Sequence, residues 1–318
     1  MNTTDEFKRL PSVSDTIAGI LAENYNSLSI LAMSSPSEIH EKCQISLQTA
    51  KRVVADARAE LGITPITASE MFDELEEHPK ITSLSQNLDE ILGGGFEPGA
   101  ITELSGAYST GKTQIAFQLC LTVQLPVDDG GLGGTAYFLD SEGTFSPRRV
   151  AEMANFIQDL LPNKPLENIL VSRVYNTDHQ IKLVRDADKI ISKRNIRVLV
   201  VDSVATHFRS EYTSKTSLPK RQQALMRHAE DLQRYAASYE LAVVTTNQVL
   251  ANPDAFVAGS SVEPALGYAW GHRPKHRMFL RKSRGSARIA QVFDSPELPQ
   301  RECVFYVTPA GIRDQEVI

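Results

Sequence analysis

The chain has 318 residues, 42% of them apolar and 23% charged, which suits one large core plus a small satellite and excludes a disordered or fibrous protein. Its net charge of −6 does not announce nucleic-acid binding, so any such function must rest on local patches. Three scattered cysteines, Cys43, Cys120 and Cys303, exclude a disulfide framework or a Cys-rich zinc site.

No apolar run is long enough to cross a bilayer, and "MNTTDEFKRL" has no apolar core of a secretion signal. Residues 11–61 read as short helices. Ile17, Ile20 and Leu21 fall at helical spacing, and "SSPSEIHEKC" offers Ser35 as N-cap, Pro36 at the first helical position and Glu38 in a capping box. Ser46 caps the next helix, whose apolar face is Ala50, Val53, Val54, Ala57 and Leu61, and Gly62 stops it. Two helices joined by a tight turn, the second carrying Lys51, Arg52 and Arg58, suggest a helix-hairpin-helix that holds DNA phosphates through main-chain N–H groups. The turn, "KCQIS", lacks the glycine that would ease such a cradle, so DNA contact and protein docking both stay open. We take residues 1–62 as this helical domain, 63–80 as a linker and oligomerisation segment, and 81–318 as the core.

In the core, short runs such as "AITELSG", "TAYFLDSE", "RVLVVDS" and "LAVVTTNQ" alternate with helical stretches. That rhythm predicts an α/β fold with a mostly parallel central sheet. "GAYSTGKT", residues 106–113, fits G-x-x-x-x-G-K-[ST] between a strand and a helix. Gly106 and Gly111 permit a turn whose N–H groups face phosphates, Lys112 reaches the β/γ-phosphates, and the Thr113 hydroxyl can ligate Mg²⁺. Gly106, Ser109, Thr110, Gly111, Lys112, Thr113 and Gln114 are the candidate nucleotide contacts. Asp202 closes the apolar run "VLVVDS", where a carboxylate can hold the metal beside Thr113. Glu142, in "YFLDSEGTF", should project from the carboxyl edge of the sheet and place the water that attacks the γ-phosphate. A strand-end ion pair is its bland alternative.

The C-terminal third bears on what the nucleotide is for. "HRPKHRMFLRKSRGSAR", residues 272–288, holds seven Arg and Lys residues, two His and no acid. Strand alternation would line those charges along one surface suited to a phosphate backbone. Arg273, Lys275, Arg277, Arg281, Lys282 and Arg284 are the candidate contacts. Residues 207–223 read as a basic, helix-breaking loop, and 247–271 as a long loop poor in periodicity. Two such loops beside a nucleotide site suggest a nucleic-acid channel.

Together "GKTQIAFQL", "LDSEGTFSPRRV", "VVDSVATHFRSEY", "KRQQALMRH", "VVTTNQVLANPDAF", "LRKSRG" and "FDSPELP" resemble the RecA-type recombinases of the archaeal RadA and eukaryotic branch. The resemblance runs from about residue 12 to 314. It implies a RecA-type P-loop ATPase core behind a helix-hairpin-helix-like domain, using ATP and Mg²⁺. The implied activity is DNA-dependent ATP hydrolysis by filaments on single-stranded DNA, which pair it with a homologous duplex and exchange strands. By the same resemblance Glu142 is the catalytic glutamate, and Gln248 couples the γ-phosphate to the second DNA loop. Arg149 packs on the adenine, while Asp294 and Pro296 cap the nucleotide of a neighbouring subunit. Arg209 and Arg221 fall in the first DNA loop, and 249–271 in the second. Implied partners are single- and double-stranded DNA, further copies in filaments or rings, recombination mediators and a single-strand-binding protein, with no membrane. The implied location is a nucleoid in archaeal-type cytoplasm, or a nucleus in a eukaryote.

Four motifs depart from the family. Its linker Phe-x-x-Ala reads Pro65 to Ala68, so the plug is absent or shifted to Ile63 or Ile66, and a smaller plug buries less apolar area. A Gly-Gly-His/Asn in the second loop reads Leu266-Gly267-Tyr268, Ala107 replaces an acid, and Gln44 replaces the hairpin glycine. These changes fit a divergent recombinase. They also fit a paralogue that regulates one, with ATP as a structural switch.

Overall fold

The computed structural model describes residues 3–316 apart from 213, 252–261 and 265. By contacts the chain divides into two units, Met1–His78 and Pro79–Ile318.

The first unit is helical: α1 (Thr3–Phe7), α2 (Asp15–Asn24), α3 (Leu28–Met33), α4 (Pro36–Cys43), α5 (Leu47–Glu60) and α6 (Ala68–Glu77). Serines set the helix starts: Ser14, Ser27, Ser35 and Ser46 each accept the backbone N–H three residues on. Phe7, Leu21, Leu31, Ile39, Val53 and Ala57 are buried. Gln44 sits at φ 54° after α4, so the hairpin takes the left-handed turn without a glycine. Its amide offsets the strain by donating to the Glu41 carbonyl at 2.7 Å. The acidic segment forms α6, closed by a full capping box between Thr67 and Glu70 and burying none of its residues.

The second unit opens with α7 (Gln86–Ile91) and β1 (Ile101–Gly106). Then follow α8 (Lys112–Thr122), β2 (Thr135–Asp140), α9 (Pro147–Asn155), β3 (Ile169–Arg173), α10 (Thr177–Ile191) and β4 (Ile196–Asp202). The chain continues through α11 (Thr206–Ser210), α12 (Leu218–Tyr239), β5 (Ala242–Asn247), β6 (Val249–Ala251), β7 (Val262–Pro264) and α13 (Gly267–Gly271). It ends with β8 (His276–Lys282), β9 (Ala287–Asp294), β10 (Glu302–Thr308) and β11 (Gly311–Arg313).

Nine strands form one sheet in the order β11-β10-β9-β8-β1-β5-β4-β2-β3. Pairing is parallel from β8 through β3 and antiparallel from β8 to β11. The central strands are buried on both faces, as crossover helices require: every residue of β1 and β5 is buried. Ile115, Phe117 and Leu119 of α8 pack with Leu104, Phe138, Val200 and Val244 of the strands in one core. Among the described residues no helix is long and apolar enough to cross a membrane.

Two expected loops are more ordered than their sequences imply. Residues 218–223 are not loop but the start of α12, because Pro219 occupies the first helical turn, where its missing N–H has no partner to lose. Arg221 therefore lies on a helix. The 247–271 stretch contains the β6–β7 ribbon and α13, although 252–261 lies outside the described residues.

Candidate nucleotide site

Four strand ends build the site, since parallel strands deliver their carboxyl termini to one edge. β1 runs into the 106–113 loop, and Gly111 starts α8 at φ 103° with no side chain capping the helix. With Ser109 also left-handed at φ 63°, the loop turns its N–H groups into a concavity. Gly106 is obligatory: a Cβ there would lie 2.5 Å from the Leu280 carbonyl oxygen of paired β8.

Lys112 folds over this loop, its Nζ donating to the carbonyls of Gly106 at 2.8 Å and Ala107 at 2.9 Å. Burial lowers its pKa, opposed by the charges of Asp202 and Glu142. An ammonium held by weak carbonyl acceptors is ready for a stronger anionic one. Asp202, at the end of β4, is 2% exposed. Its carboxylate accepts from the Thr113 hydroxyl at 2.7 Å and from Thr246 of β5. Burial, helped by the nearby charge of Glu142, raises its pKa against those hydrogen bonds and the Lys112 charge.

The loop after β2 presents Glu142. Asp140 shapes it, accepting the backbone N–H groups of Gly143 at 2.7 Å, Thr144 at 3.1 Å and Phe145 at 3.2 Å. Glu142 Oε1 accepts from Gln248 Nε2 at 2.8 Å and Thr206 Oγ1 at 3.0 Å, and Arg209 donates to Gln248 Oε1 at 3.3 Å. The γ-phosphate candidates and one DNA-loop candidate thus share one hydrogen-bonded chain. Arg149 spends its N–H groups on Gln114, Glu152 and the carbonyls of Thr308 and Pro309, which leaves its flat face for stacking. A cavity of ≈ 570 Å³ joins Gly106, Lys112, Thr113, Glu142, Arg149, Asp202 and Gln248, with Ser109, Thr110, Gly111 and Gln114 on its wall.

Asp294 and Pro296 are not brought to this cavity. They line another of ≈ 480 Å³ beside Gly99 and Ile101, at the opposite end of β1. Sequence reasoning did not single out Thr206, Thr246, Tyr108 or Arg288. The two threonines carry no local signal. Tyr108 stands 89% exposed on the loop with Lys282 Nζ 5.9 Å from its ring centre, and Arg288 Nε donates to the Ser109 carbonyl at 3.1 Å. Both belong to motifs already quoted above, but neither has a distinguishing residue type there.

The basic stretch 272–288 needs a correction, because acids from elsewhere in the chain neutralise most of it. Arg273 meets Glu230 at 3.1 Å, and Lys275 meets Glu97 at 2.6 Å and Glu297 at 3.1 Å. Arg277 meets the buried Glu103 at 2.7 Å, and Arg281 meets Glu302 at 2.5 Å. Lys282 and Arg284 make no ion pair among the described residues and stay exposed. β8 is also an interior strand, between β1 and β9, so its charges do not guard a sheet edge.

A phosphate loop on a mostly parallel sheet, with the carboxylates of Asp202 and Glu142 presented from adjoining strand ends, defines a RecA-type P-loop NTPase. The Rad51 family model matches residues 76–315. Among curated relatives, "DNA repair and recombination protein RadA" of Aeropyrum pernix is 44% identical over 308 residues, covering 96% of this chain and 96% of that protein. The protein of the same name from Metallosphaera sedula is 43% identical over 311 residues, covering 97% and 95% respectively. The chain belongs to the Rad51 family.

Proposed function

We propose that this protein is a DNA-dependent ATPase that assembles with ATP on single-stranded DNA and catalyses homologous pairing and strand exchange in recombinational repair. The names of its relatives, which specify DNA repair and recombination, support that reading. The observation that carries it is that Lys112, Thr113 and Asp202 line one cavity with Glu142 and Gln248, and that the Glu142–Gln248 hydrogen bond runs on to Arg209, a DNA candidate.

The donor set fits Mg²⁺. A hydroxyl and a buried carboxylate are hard oxygen ligands, and among the described residues Asp202 has only two hydroxyl donors against its charge. Thr113 and Asp202 would hold the ion, the uncapped start of α8 and Lys112 would hold the phosphates, and Arg149 would stack on the base. An ion held there would supply positive charge that offsets the negative charge of the phosphates. Glu142 orients the attacking water and takes its proton. Gln248 already holds Glu142, so any movement of the segment after β5 changes how that carboxylate is aimed.

The regulatory-paralogue reading keeps one specific support: Ile63 and Ile66, the remaining linker candidates for a plug at the Pro65 departure, are smaller than phenylalanine. Hydrolysis with and without single-stranded DNA, wild type beside Glu142→Gln, with joint molecules scored in the same reactions, separates the two. A recombinase gives DNA-stimulated hydrolysis, lost in Glu142→Gln, and joint molecules. Nucleotide binding with neither would favour the paralogue.

A further inference from the structure

Glu103 lies in the middle of β1 and is fully buried. Its register partners are Thr245 on β5 and Arg277 on β8. Asn247, two residues beyond Thr245, therefore faces the same side of the sheet as Glu103. The carboxylate accepts three hydrogen bonds, all from side chains distant in the chain. Oε1 accepts from Asn247 Nδ2 at 2.8 Å and Trp270 Nε1 at 2.7 Å, and Oε2 accepts from Arg277 Nε at 2.7 Å. Asn247 Oδ1 has no partner among the described residues, so of these Glu103 is what holds that side chain.

These three partners are not arbitrary. Asn247 is the residue before Gln248 and stands at the foot of the 249–271 segment as it leaves β5. Trp270, in α13, stands at the other foot and is also fully buried. Arg277 reaches on to Asp294 at 3.6 Å and lies 4.7 Å over the Phe293 ring. Three residues beyond Glu103, β1 becomes the phosphate loop. One buried charge thus ties both feet of the expected DNA loop to the strand that carries the nucleotide loop.

A buried carboxylate is costly unless fully paired, so this cluster is poorly explained as a device for stability alone. Buried charge does specify arrangement: Glu103 loses if either foot moves, and each foot loses if β1 shifts. From this geometry we infer that Glu103 is a positioning residue. Through Asn247 and Trp270 it sets where Gln248 stands relative to Glu142, and it couples the described ends of the 249–271 segment, 249–251 and 267–271, to nucleotide at the β1 loop. The inference rests on the ATPase reading above, but its first test needs no DNA.

The test is amide hydrogen exchange on the full-length protein, with and without a magnesium complex of a non-hydrolysable ATP analogue. Wild type is compared with Trp270→Phe, which keeps an aromatic ring and removes the donor, and with Glu103→Gln as the stronger change. In wild type the analogue should slow exchange at 249–251 and 267–271. In Trp270→Phe that nucleotide-linked protection should fall about tenfold, the effect of one charge-assisted hydrogen bond, while β4 exchanges as before. The ratio of hydrolysis with DNA to hydrolysis without it should fall to match. Nucleotide-linked protection that is absent in wild type, or retained in Trp270→Phe and in any Glu103→Gln that folds, overturns the inference. Faster exchange of the feet with an unchanged nucleotide response also overturns it, because Glu103 would then be structural only. A wild type that shows the nucleotide response but no DNA stimulation counts against the recombinase reading and leaves the coupling standing.

Discussion

Replacing Asp202 by Asn should stabilise the nucleotide-free protein while destroying its use of metal. Asp202 is 2% exposed and its hydrogen bonds come from neutral hydroxyls, those of Thr113 and Thr246. Lys112 gives its protons to Gly106 and Ala107 instead, so Asp202→Asn removes no hydrogen bond of the lysine. An Asn of the same shape accepts from one threonine and donates to the other. What disappears is a poorly compensated buried charge, worth about 1–3 kcal/mol. For a domain the size of Pro79–Ile318 each kcal/mol moves the melting temperature by roughly 2–4 °C, so Tm should rise by about 2–12 °C. The pH dependence fixes the cause. Burial raises the Asp202 pKa above 3.8, so the folded chain keeps a proton there that the unfolded chain has released. Wild-type stability therefore falls as pH climbs from 3.8 through the raised folded value, and the gap to Asp202→Asn opens over that interval and then stays constant. Differential scanning calorimetry without nucleotide or metal, from pH 4 to 8, measures it. With magnesium and nucleotide the order should reverse, since only wild type gains by mass action. An Asp202→Asn protein that melts below wild type at pH 7.5, or a gap that ignores pH, refutes the account.

Lys112→Ala should weaken nucleotide affinity by about a hundredfold, through loss of a charge-assisted contact. Titration of a fluorescent nucleotide checks this, and ATP-dependent filaments of the variant would contradict the site as drawn. Gly106→Ala puts a methyl 2.5 Å from the Leu280 carbonyl and 2.8 Å from Thr110 Oγ1, so Tm should drop by an amount corresponding to about 1–3 kcal/mol. Nucleotide affinity should fall in the same samples. Removing Lys282 and Arg284 together should lower the salt dependence of single-stranded DNA binding by about 1.4 in log–log slope, with Tm unchanged. Arg277→Met should do the reverse, leaving the slope while the unpaired Glu103 costs about 3–5 kcal/mol, readable by denaturant unfolding.

What the sequence made legible is what is local. The phosphate loop, β1, β2, β4 and β5 each sit within one short window, and Lys112, Thr113, Glu142, Arg149, Asp202 and Gln248 do meet in one cavity. β3 escaped notice because "ILVSR" is short and half exposed at the sheet edge. The basic stretch departs from its sequence-based expectation for a different reason: charge adds up along the chain, while its compensation is spatial. Glu97 stands 178 residues from Lys275, and Glu103 stands 174 from Arg277. No window reveals such pairs. The start of α12 hid behind Pro219, which marks a helix's first turn as readily as its end.

The parallel half of the sheet explains why a site so scattered in sequence is compact in space. From β8 to β3 every strand runs the same way, so each ends at the same edge. β1 then contributes the loop, β4 contributes Asp202, β2 leads to Glu142 and β5 leads to Gln248. The same rule predicts which residues sequence reasoning will miss there. Thr246 ends β5 beside the end of β4, and Thr206 follows β4 by a few residues, so each comes within reach of a carboxylate without belonging to any motif. The opposite edge obeys it too. β1 begins at the cavity lined by Asp294 and Pro296, far from the phosphate loop of its own chain. Within one chain, then, the route from that cavity to the nucleotide runs along β1, and Glu103 with its partner Arg277 occupies the middle of that route.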